Sequence, residues 1–384
     1  MAGPIDLDQQ ATTPLAAPAL AAMLPFLEGQ HWNPHGSHRG ARIARAALEA
    51  ARSEIAAVLG AAAESILFTS GATEANNLAL KGWLLPRPRD RRRLVTFSTE
   101  HSSMLETARH LERMRVPLTI VPVAHDGLPD LSAFRAALGP DVALVSAMRV
   151  NNEIGAIWPT AELCRMAHAA GALFHSDAAQ GFGKVDCRLD AGLDGADLVS
   201  ISAHKIHGPK GIGALFVRPG ISLEPQMDGG GQERGVRSGT QSPALAAGFG
   251  AAARLARERM ADDAAHCADL MAIALRALRG VAFQVNGPPP GSRDRLASNL
   301  SLTFPGVDSA RLMAALPGIA FSTGAACSSE AQRPSHVLQA IGLGAADIRA
   351  TVRLGWGRQS LPEEIGDAFA AIAETVGRLQ ERAA

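Results

Sequence analysis

The sequence predicts an α/β protein in which a mostly parallel β-sheet with helices on both faces is joined to a smaller α/β domain. Short apolar segments rich in β-branched residues alternate with Ala-, Leu- and Arg-rich helical segments through the first two thirds of the 384-residue chain. Such alternation is typical of parallel sheets. The pattern changes near residue 241, which indicates the second domain. A chain of this length is long enough for two domains.

The first part of the chain contains the segments of the main sheet. The predicted strands are 66–69, 93–98, 118–123, 142–147, 172–175, 197–202 and 213–217. Apolar residues at positions i, i+3 and i+4 predict helices between them, at 41–59, 73–82, 102–114, 130–138 and 160–170. Ligands of such sheets bind beyond the carboxyl ends of the strands, so residues that follow a strand are the first candidates for a site.

The last part of the chain predicts the smaller domain. A long Ala/Arg-rich helix spans 243–279 with a break near residue 261, and the later predicted elements are strands 281–285, 298–304 and 350–355 and helices 308–316, 322–342 (with a loop) and 362–382. We therefore assign residues 16–259 to a large domain, and residues 1–15 and 260–384 to a small one.

Composition excludes several classes of protein. Lys plus Arg and Asp plus Glu both number 37, so no net charge favours nucleic acid or an anionic membrane. No apolar run approaches the roughly 18 residues of a membrane span, and the N-terminus lacks the pattern of a signal peptide. We expect a cytoplasmic protein. The four cysteines form no CxxC pair, so we expect free thiols and no metal site.

Lysine is rare in this chain. Only Lys81, Lys184, Lys205 and Lys210 occur among the 37 cationic residues. A buried lysine can lose its proton and attack a carbonyl, whereas arginine stays protonated. Codon bias explains the excess of arginine equally well, so this observation only shortens the list of candidate nucleophiles.

Three motifs follow predicted strands. SGATEANN (70–77) opens a helix whose backbone N–H groups and Thr73 hydroxyl suit a phosphate, although Thr73 is equally suited to capping the helix. HSDAAQG (175–181) places Asp177 where a carboxylate can face a pyridine nitrogen, but an Asp at a strand end is common. SAHKIHGPKGIG (202–213) offers Lys205 beside the strand end, with Lys210 as the alternative. Their order along the chain indicates pyridoxal phosphate (PLP).

Longer segments resemble one known family, the cysteine desulfurases of the NifS/IscS type. This family has the class V aminotransferase fold, which is the aspartate aminotransferase-like fold type I of PLP-dependent transferases. The segments that carry the resemblance are DLDQQATTP (6–14), FTSGATEANNLALKG (68–82), TEHSSM (99–104), VNNEIG (150–155), HSDAAQGFGKVD (175–186), SAHKIHGPKGIGALFVR (202–218), GGGQERGVRSGT (229–240), STGAACSS (322–329), PSHVL (334–338) and VRLGWGR (352–358).

The resemblance implies a role for each matching cofactor residue. Lys205 would bind PLP covalently, His101 would stack on its ring and move protons, Asp177 would face the pyridine nitrogen and Gln180 the phenolic oxygen. Asn152 would lie near the ring. The phosphate would be held by Ala72, Thr73, Ser202 and His204, joined by Thr240 from the other subunit of a homodimer.

The resemblance also implies the substrate and the product. Asn33 and Arg353 would bind the carboxylate of L-cysteine. Cys327 would take the sulfur of the substrate as a persulfide, and the rest of the substrate would leave as L-alanine. The sulfur would pass to an acceptor protein such as an iron–sulfur scaffold or a tRNA-thiolating enzyme. Departures from the family pattern at Ala203 and Ala325 remove no catalytic group. The chain has no tyrosine, so any ring contact that relatives make with tyrosine is absent.

Other interpretations remain open at this point. A selenocysteine lyase or an aminotransferase of the same fold would share most of these motifs, although a plain aminotransferase needs no thiol at position 327. A sulfur-transfer protein without catalysis is a third possibility, but it needs neither Lys205 nor His101. The segment GGGQERG (229–235) resembles a nucleotide loop but follows no strand of a βαβ unit.

Overall fold

The computed structural model describes residues 3–88, 91–324 and 334–381. The strands are β1 (Ile5–Asp6), β2 (Ile66–Thr69), β3 (Arg93–Phe97), β4 (Leu118–Val121), β5 (Val142–Ser146), β6 (Leu173–Asp177), β7 (Leu198–Ser202), β8 (Gly213–Val217), β9 (Gln284–Asn286), β10 (Asn299–Thr303), β11 (Ile319–Ala320), β12 (Ser322–Thr323) and β13 (Thr351–Gly355).

The helices alternate with these strands. They are α1 (Ala17–Glu28), α2 (Arg39–Leu59), α3 (Ala72–Leu84), α4 (Ser102–Arg113), α5 (Leu131–Ala137), α6 (Thr160–Ala169), α7 (Pro243–Ala277), α8 (Ser309–Ala315), α9 (His336–Ala340), α10 (Ala345–Arg349) and α11 (Pro362–Glu381). Short 3₁₀ turns lie at Ala63–Ser65, Ala203–Lys205 and Glu233–Gly235. No helix in the described ranges is long and apolar enough to cross a membrane.

The large sheet has the strand order β2-β8-β7-β6-β5-β3-β4. Its strands are parallel except β8, which runs antiparallel to both of its neighbours. All seven strands predicted for the first part of the chain lie in this sheet. Their apolar runs are continuous because both faces are covered by helices, and every residue of β5, for example, is buried.

Three helices differ from the prediction. The short helix α10 was not predicted. Helix α1 was not predicted, since Pro18 and Pro25 in its sequence indicate a break; Pro18 lies in the first turn, where proline is tolerated. The predicted break of α7 near residue 261 is wrong, because the helix runs unbroken from Pro243 to Ala277. The residues around 261 are not helix breakers, and Arg259 pairs with Asp263 one turn later at 3.3 Å.

The second part of the chain forms its own sheet and core. Strands β12, β13, β10 and β9 form an antiparallel sheet in that order, and β1 pairs with β11. The apolar core of this sheet combines Leu7 from the N-terminus with residues between Cys267 and Val376. The strand predicted at 281–285 is observed later, at Gln284–Asn286. Because α7 continues across residues 259 and 260, the domain boundary there remains a prediction that the helix does not mark.

A buried ion pair holds the loop that contains GGGQERG. Arg52 on α2 contacts Glu233 at 2.8 Å, and their side chains are only 9% and 1% exposed. The Glu233 carboxylate also accepts a hydrogen bond from the backbone N–H of Phe68 at 2.9 Å. The buried Arg52 guanidinium is not left without partners, because the Glu233 carboxylate and the backbone carbonyl of Ile66 both accept hydrogen bonds from it.

We predict that Arg52→Ala lowers the free energy of unfolding by about 3–5 kcal/mol, because it leaves the Glu233 carboxylate buried without its partner. Denaturant titration measures this change. The control is Arg257→Ala, which removes an exposed contact to Glu54 at 3.5 Å and should change stability by less than about 1 kcal/mol. Equal effects of the two substitutions would contradict the structural role of the buried pair.

Candidate functional site

The carboxyl ends of several strands surround one cavity of about 370 Å³. Strand β2 leads into α3, β3 leads to His101 before α4, β6 ends at Asp177, and β7 leads to Lys205. These four strands run in the same direction, since β8 is antiparallel to both β2 and β7. The residues that follow them therefore meet at one edge of the sheet.

Most of the predicted site residues line this cavity. They are Ala72, Thr73, His101, Asn152, Asp177, Gln180, Ser202, His204, Lys205 and Arg353. Asn33 and Thr240 are exposed and are not among its lining residues; Thr240 lies beside a different cavity with Ser70 and Arg237. Cys327 lies outside the described residues.

Lys205 lies in the 3₁₀ turn directly after β7, and its amine is buried in the cavity wall. Its Nζ donates hydrogen bonds to the backbone carbonyls of Gln10 at 2.7 Å and Ala11 at 2.8 Å. Burial lowers the pKa of Lys205 to about 7, assisted by the nearby cations Lys184 and Arg353. A large fraction of this amine is therefore neutral near pH 7, which is the form that attacks an aldehyde.

Asp177 is held at the end of β6 by two donors. One carboxylate oxygen accepts from the side-chain amide of Asn76 at 2.8 Å, and the other accepts from the backbone N–H of Ala179 at 2.9 Å. A second carboxyl group, Glu100, is close by and fully buried; burial and the nearby Asp177 raise the pKa of Glu100 well above its ordinary value. Burial and the neighbouring carboxylate thus favour the protonated form of Glu100, which lies beside Asp177 and outside the lining of the cavity.

Two histidines line the cavity in neutral form. His101 is open to the cavity, and loss of hydration in the cavity wall lowers the pKa of His101 below its ordinary value. Its Nδ1 accepts from the backbone N–H of Ser103 at 3.2 Å, so the proton of the neutral ring is on Nε2. Burial, together with Lys205, lowers the pKa of His204 to about 4, and its Nδ1 lies 3.1 Å from the hydroxyl of Thr12.

Arg353 brings the second sheet to the cavity. It lies on β13 and donates to the carboxylate of Asp8 at 3.0 Å and to the hydroxyl of Ser322 at 2.8 Å. A longer hydrogen bond of 3.4 Å reaches the backbone carbonyl of Asn152. The guanidinium is therefore fixed at the mouth of the cavity, with a geometry that suits a substrate carboxylate.

The donor set of the cavity fits PLP. Within the described part of the chain, the hydroxyls of Thr73 and Ser202 have no protein partner although both residues line the cavity. They lie beside the N-terminus of α3, where the helix dipole and free N–H groups favour a phosphate. A neutral lysine amine and a carboxylate held by two donors complete the groups that a pyridine aldehyde requires.

Several contacts of this site were not predicted from the sequence. The backbone carbonyls of Gln10 and Ala11 accept from Lys205, and the Asn76 amide donates to Asp177. Lys184 donates to Gln180, and the buried Glu100 lies near Asp177. Asn76 belongs to the quoted motif SGATEANN, but its orientation depends on which face of α3 is buried. Lys184 was already conspicuous as one of the four lysines.

Comparisons with known proteins point to one family. The model of the family Aminotransferase class-V matches residues 5–367. The chain is 41% identical over 382 residues to the cysteine desulfurase IscS of Rickettsia bellii, covering 98% of this chain and 92% of that protein. It is 41% identical over 383 residues to the mitochondrial cysteine desulfurase of Arthroderma benhamiae, covering 98% and 75%. A solved NifS-like protein superposes with a TM-score of 0.91 at 32% identity, covering 98% and 100%.

These matches cover nearly the whole chain. The fold and the cavity define a PLP-dependent enzyme of fold type I, and the chain belongs to the class V aminotransferase family, within it to the cysteine desulfurases. Its substrate is accordingly L-cysteine. The family and the function expected from the sequence motifs are confirmed.

We predict that Asn76→Ala weakens PLP binding about three- to tenfold, because Asp177 loses one of its two donors in a buried site. Titration of the PLP-free full chain with PLP, followed by absorbance, gives the dissociation constant. Asn286→Ala is the matched control, since Asn286 is also buried and hydrogen-bonded but lies on β9 away from the cavity. An unchanged dissociation constant in Asn76→Ala would show that Asp177 needs no support from α3.

Proposed function

We propose that the enzyme transfers the sulfur of L-cysteine to Cys327 as a persulfide and then delivers it to an acceptor protein. The observation that carries this proposal is the position of Arg353, which lines both the cofactor cavity and a second cavity of about 750 Å³. Gly324 and Pro334, the described residues on either side of the segment that contains Cys327, line the second cavity. The chain on both sides of Cys327 thus lines a cavity that shares Arg353 with the cofactor cavity.

The other cysteines are poorly suited to this role. Cys164, Cys187 and Cys267 are buried, and burial raises the pKa of each thiol to about 12. Because the thiolate is the nucleophile, these residues are almost entirely unreactive near pH 7. An unperturbed thiol has a pKa of about 8.5, so Cys327 needs a nearby base or a lowered pKa.

Each residue of the cavity has a proposed role. Arg353 binds the substrate carboxylate, with Asn33 as its expected helper. Lys205 would hold the cofactor through its amine, which lines the cavity in a largely neutral form near pH 7. His101 carries a proton at Nε2, the ring nitrogen that Ser103 leaves free.

The cofactor would be held by the remaining cavity residues. The Asp177 carboxylate would bind the pyridine nitrogen, Gln180 would bind the phenolic oxygen, and Asn152 would contact the ring. The phosphate would be held by Ala72, Thr73, Ser202 and His204. Bound PLP supplies an electron sink for the substrate.

Sulfur moves from the thiol of the substrate to the thiol of Cys327. The Cys327 thiolate attacks the sulfur of the substrate, so a new S–S bond forms while the bond between Cβ and sulfur breaks. The electron pair of the broken bond stays with the substrate carbon and takes up a proton, which yields L-alanine. The persulfide on Cys327 keeps the transferred sulfur until a protein thiol accepts it. We propose that the acceptor is a protein such as an iron–sulfur scaffold. We also propose that the reaction takes place in the cytoplasm.

We predict that Cys327→Ser binds PLP and cysteine as the unchanged protein does but releases no sulfide, because a hydroxyl cannot accept sulfur. Sulfide assays and absorbance spectra measure the two properties. Cys187→Ser and Cys267→Ser serve as controls and should keep most of the activity. Mass spectrometry after addition of cysteine alone should find the extra sulfur on the peptide that contains Cys327, and sulfur on another cysteine instead would overturn the proposal.

We further propose that the working enzyme is a homodimer with shared sites. Helix α1 exposes Leu20, Leu24 and Leu27, which are 44%, 40% and 59% accessible and lie on one face at spacings of four and three residues. Its other face packs against α7 through Ala19 and Met23. An exposed apolar stripe of this kind favours contact with a second copy of the chain.

The shared site rests on Thr240. This residue is exposed and apart from the cofactor cavity of its own subunit, so its expected phosphate contact requires the cavity of a partner. Glu74 holds the neighbouring Arg237 in place at 2.8 Å, which fixes the loop on the surface.

We predict that mixing Lys205→Ala subunits with Thr240→Val subunits restores about one quarter of the sites, because half of the dimers are mixed and one of their two sites is intact. Activity after subunit exchange measures the recovery. The control mixture combines Lys205→Ala with the double variant Lys205→Ala, Thr240→Val and should remain inactive. A fully active monomer in sedimentation experiments would rule out shared sites.

A further inference from the structure

Lys184 is a partly buried cation with no role in the reaction described above. It follows β6 and donates a hydrogen bond from Nζ to the side-chain oxygen of Gln180 at 3.3 Å. Burial lowers the pKa of Lys184 to about 8. Among the described residues, Lys184 has no carboxylate as an ion-pair partner. A second lysine without such a partner thus lies near Lys205, and both residues line a cavity of about 210 Å³.

The contact with Lys184 determines how the Gln180 amide is oriented. A lysine amine that carries its proton can only donate, so Gln180 must turn its oxygen toward Lys184 and its NH₂ group the other way. That NH₂ group donates to the backbone carbonyl of Gln10 at 2.7 Å, and Lys205 donates to the same carbonyl at 2.7 Å. One chain of hydrogen bonds therefore runs from Lys184 through Gln180 and Gln10 to Lys205.

Lys184 also acts on Lys205 through its charge. Burial is the largest cause of the lowered pKa of Lys205, and Lys184 comes next. The charged groups that face Lys205 include both signs: Lys184 and Arg353 against Asp177 and Asp8, with the rings of His101 and His204 nearby. Lys184 itself faces Cys267 and Arg358. Removing the Lys184 cation leaves Arg353 as the remaining cation against the two carboxylates, which favour the protonated form of Lys205.

We propose that Lys184 is a positioning residue, which turns the Gln180 NH₂ group toward the Gln10 carbonyl that also accepts from Lys205 and, as a nearby cation, favours the reactive form of the Lys205 amine. This inference rests on the proposed role of Lys205 as the lysine that binds PLP. A lysine that only fills space behind the cavity would affect stability but not the protonation of Lys205.

The scarcity of lysine makes the proposal testable by NMR. The PLP-free full chain, labelled with ¹³C at the Cε of lysine, has only four side-chain signals, and substitution of each lysine by methionine assigns them. The midpoint of Lys205 in Lys184→Met should lie about 0.5 to 1 pH unit higher than in the unchanged chain. The rate at which PLP is captured at pH 7 should fall about two- to fivefold, since less of the amine is neutral.

Two further variants separate positioning from packing. Lys184→Arg keeps a donor and a positive charge, so the midpoint of Lys205 should stay close to that of the unchanged chain. Lys210→Met removes a lysine of the same loop as Lys205 that acts on His204, and it should leave the midpoint unchanged. A melting temperature for each variant controls for folding.

An unchanged Lys205 midpoint in folded Lys184→Met would overturn the proposal. So would an equal shift in Lys210→Met, because the effect would then be unspecific. Failure of the underlying assignment would have a different result: Lys205→Met would still capture PLP covalently, whatever the titrations show.

Discussion

The site depends on the burial of the Lys205 amine at the carboxyl edge of the large sheet. An ammonium group loses hydration when it is enclosed. Here two backbone carbonyls, rather than a carboxylate, accept hydrogen bonds from the amine. Its pKa falls to about 7 as a result. The neutral amine is then available near pH 7, and the nearby cations Lys184 and Arg353 add to the effect of burial. Moving this lysine to the protein surface would remove the property on which cofactor capture depends.

The N-terminal segment makes this burial possible. It crosses from β1 to α1 over the turn that contains Lys205, where the Thr13 N–H and the His207 N–H both form hydrogen bonds across the two segments. The Gln10 side chain donates to the backbone carbonyl of Ser298 at 2.7 Å, directly before β10 of the other sheet. The same short segment therefore closes the cavity, accepts from Lys205, and ties the two sheets together. Arg353, which Asp8 holds at the cavity mouth, depends on it as well.

Much of the fold was predictable because fully buried parallel strands have continuous apolar sequences. The seven strands of the large sheet and the motifs at their carboxyl ends follow from that pattern and from chain order. Helix α1 was missed because proline is usually a helix breaker, and the break in α7 was predicted where no breaker occurs. Residues such as Asn76 and Lys184 could not be assigned, since the side of a helix or turn that faces the cavity depends on the packing of other elements. Asn33 and Thr240 remain proposals because they lie apart from the cavity of their own chain.

The central claim is that Lys205, among the four lysines of the chain, binds the cofactor. The most direct test is to reduce the PLP-loaded enzyme with borohydride, digest it, and identify the modified peptide by mass spectrometry. The account predicts the added mass on Lys205 alone, with Lys81, Lys184 and Lys210 unmodified. Modification of Lys184 or Lys210 in place of Lys205 would contradict it, because the burial and the hydrogen bonds described here would then belong to a lysine that PLP does not use.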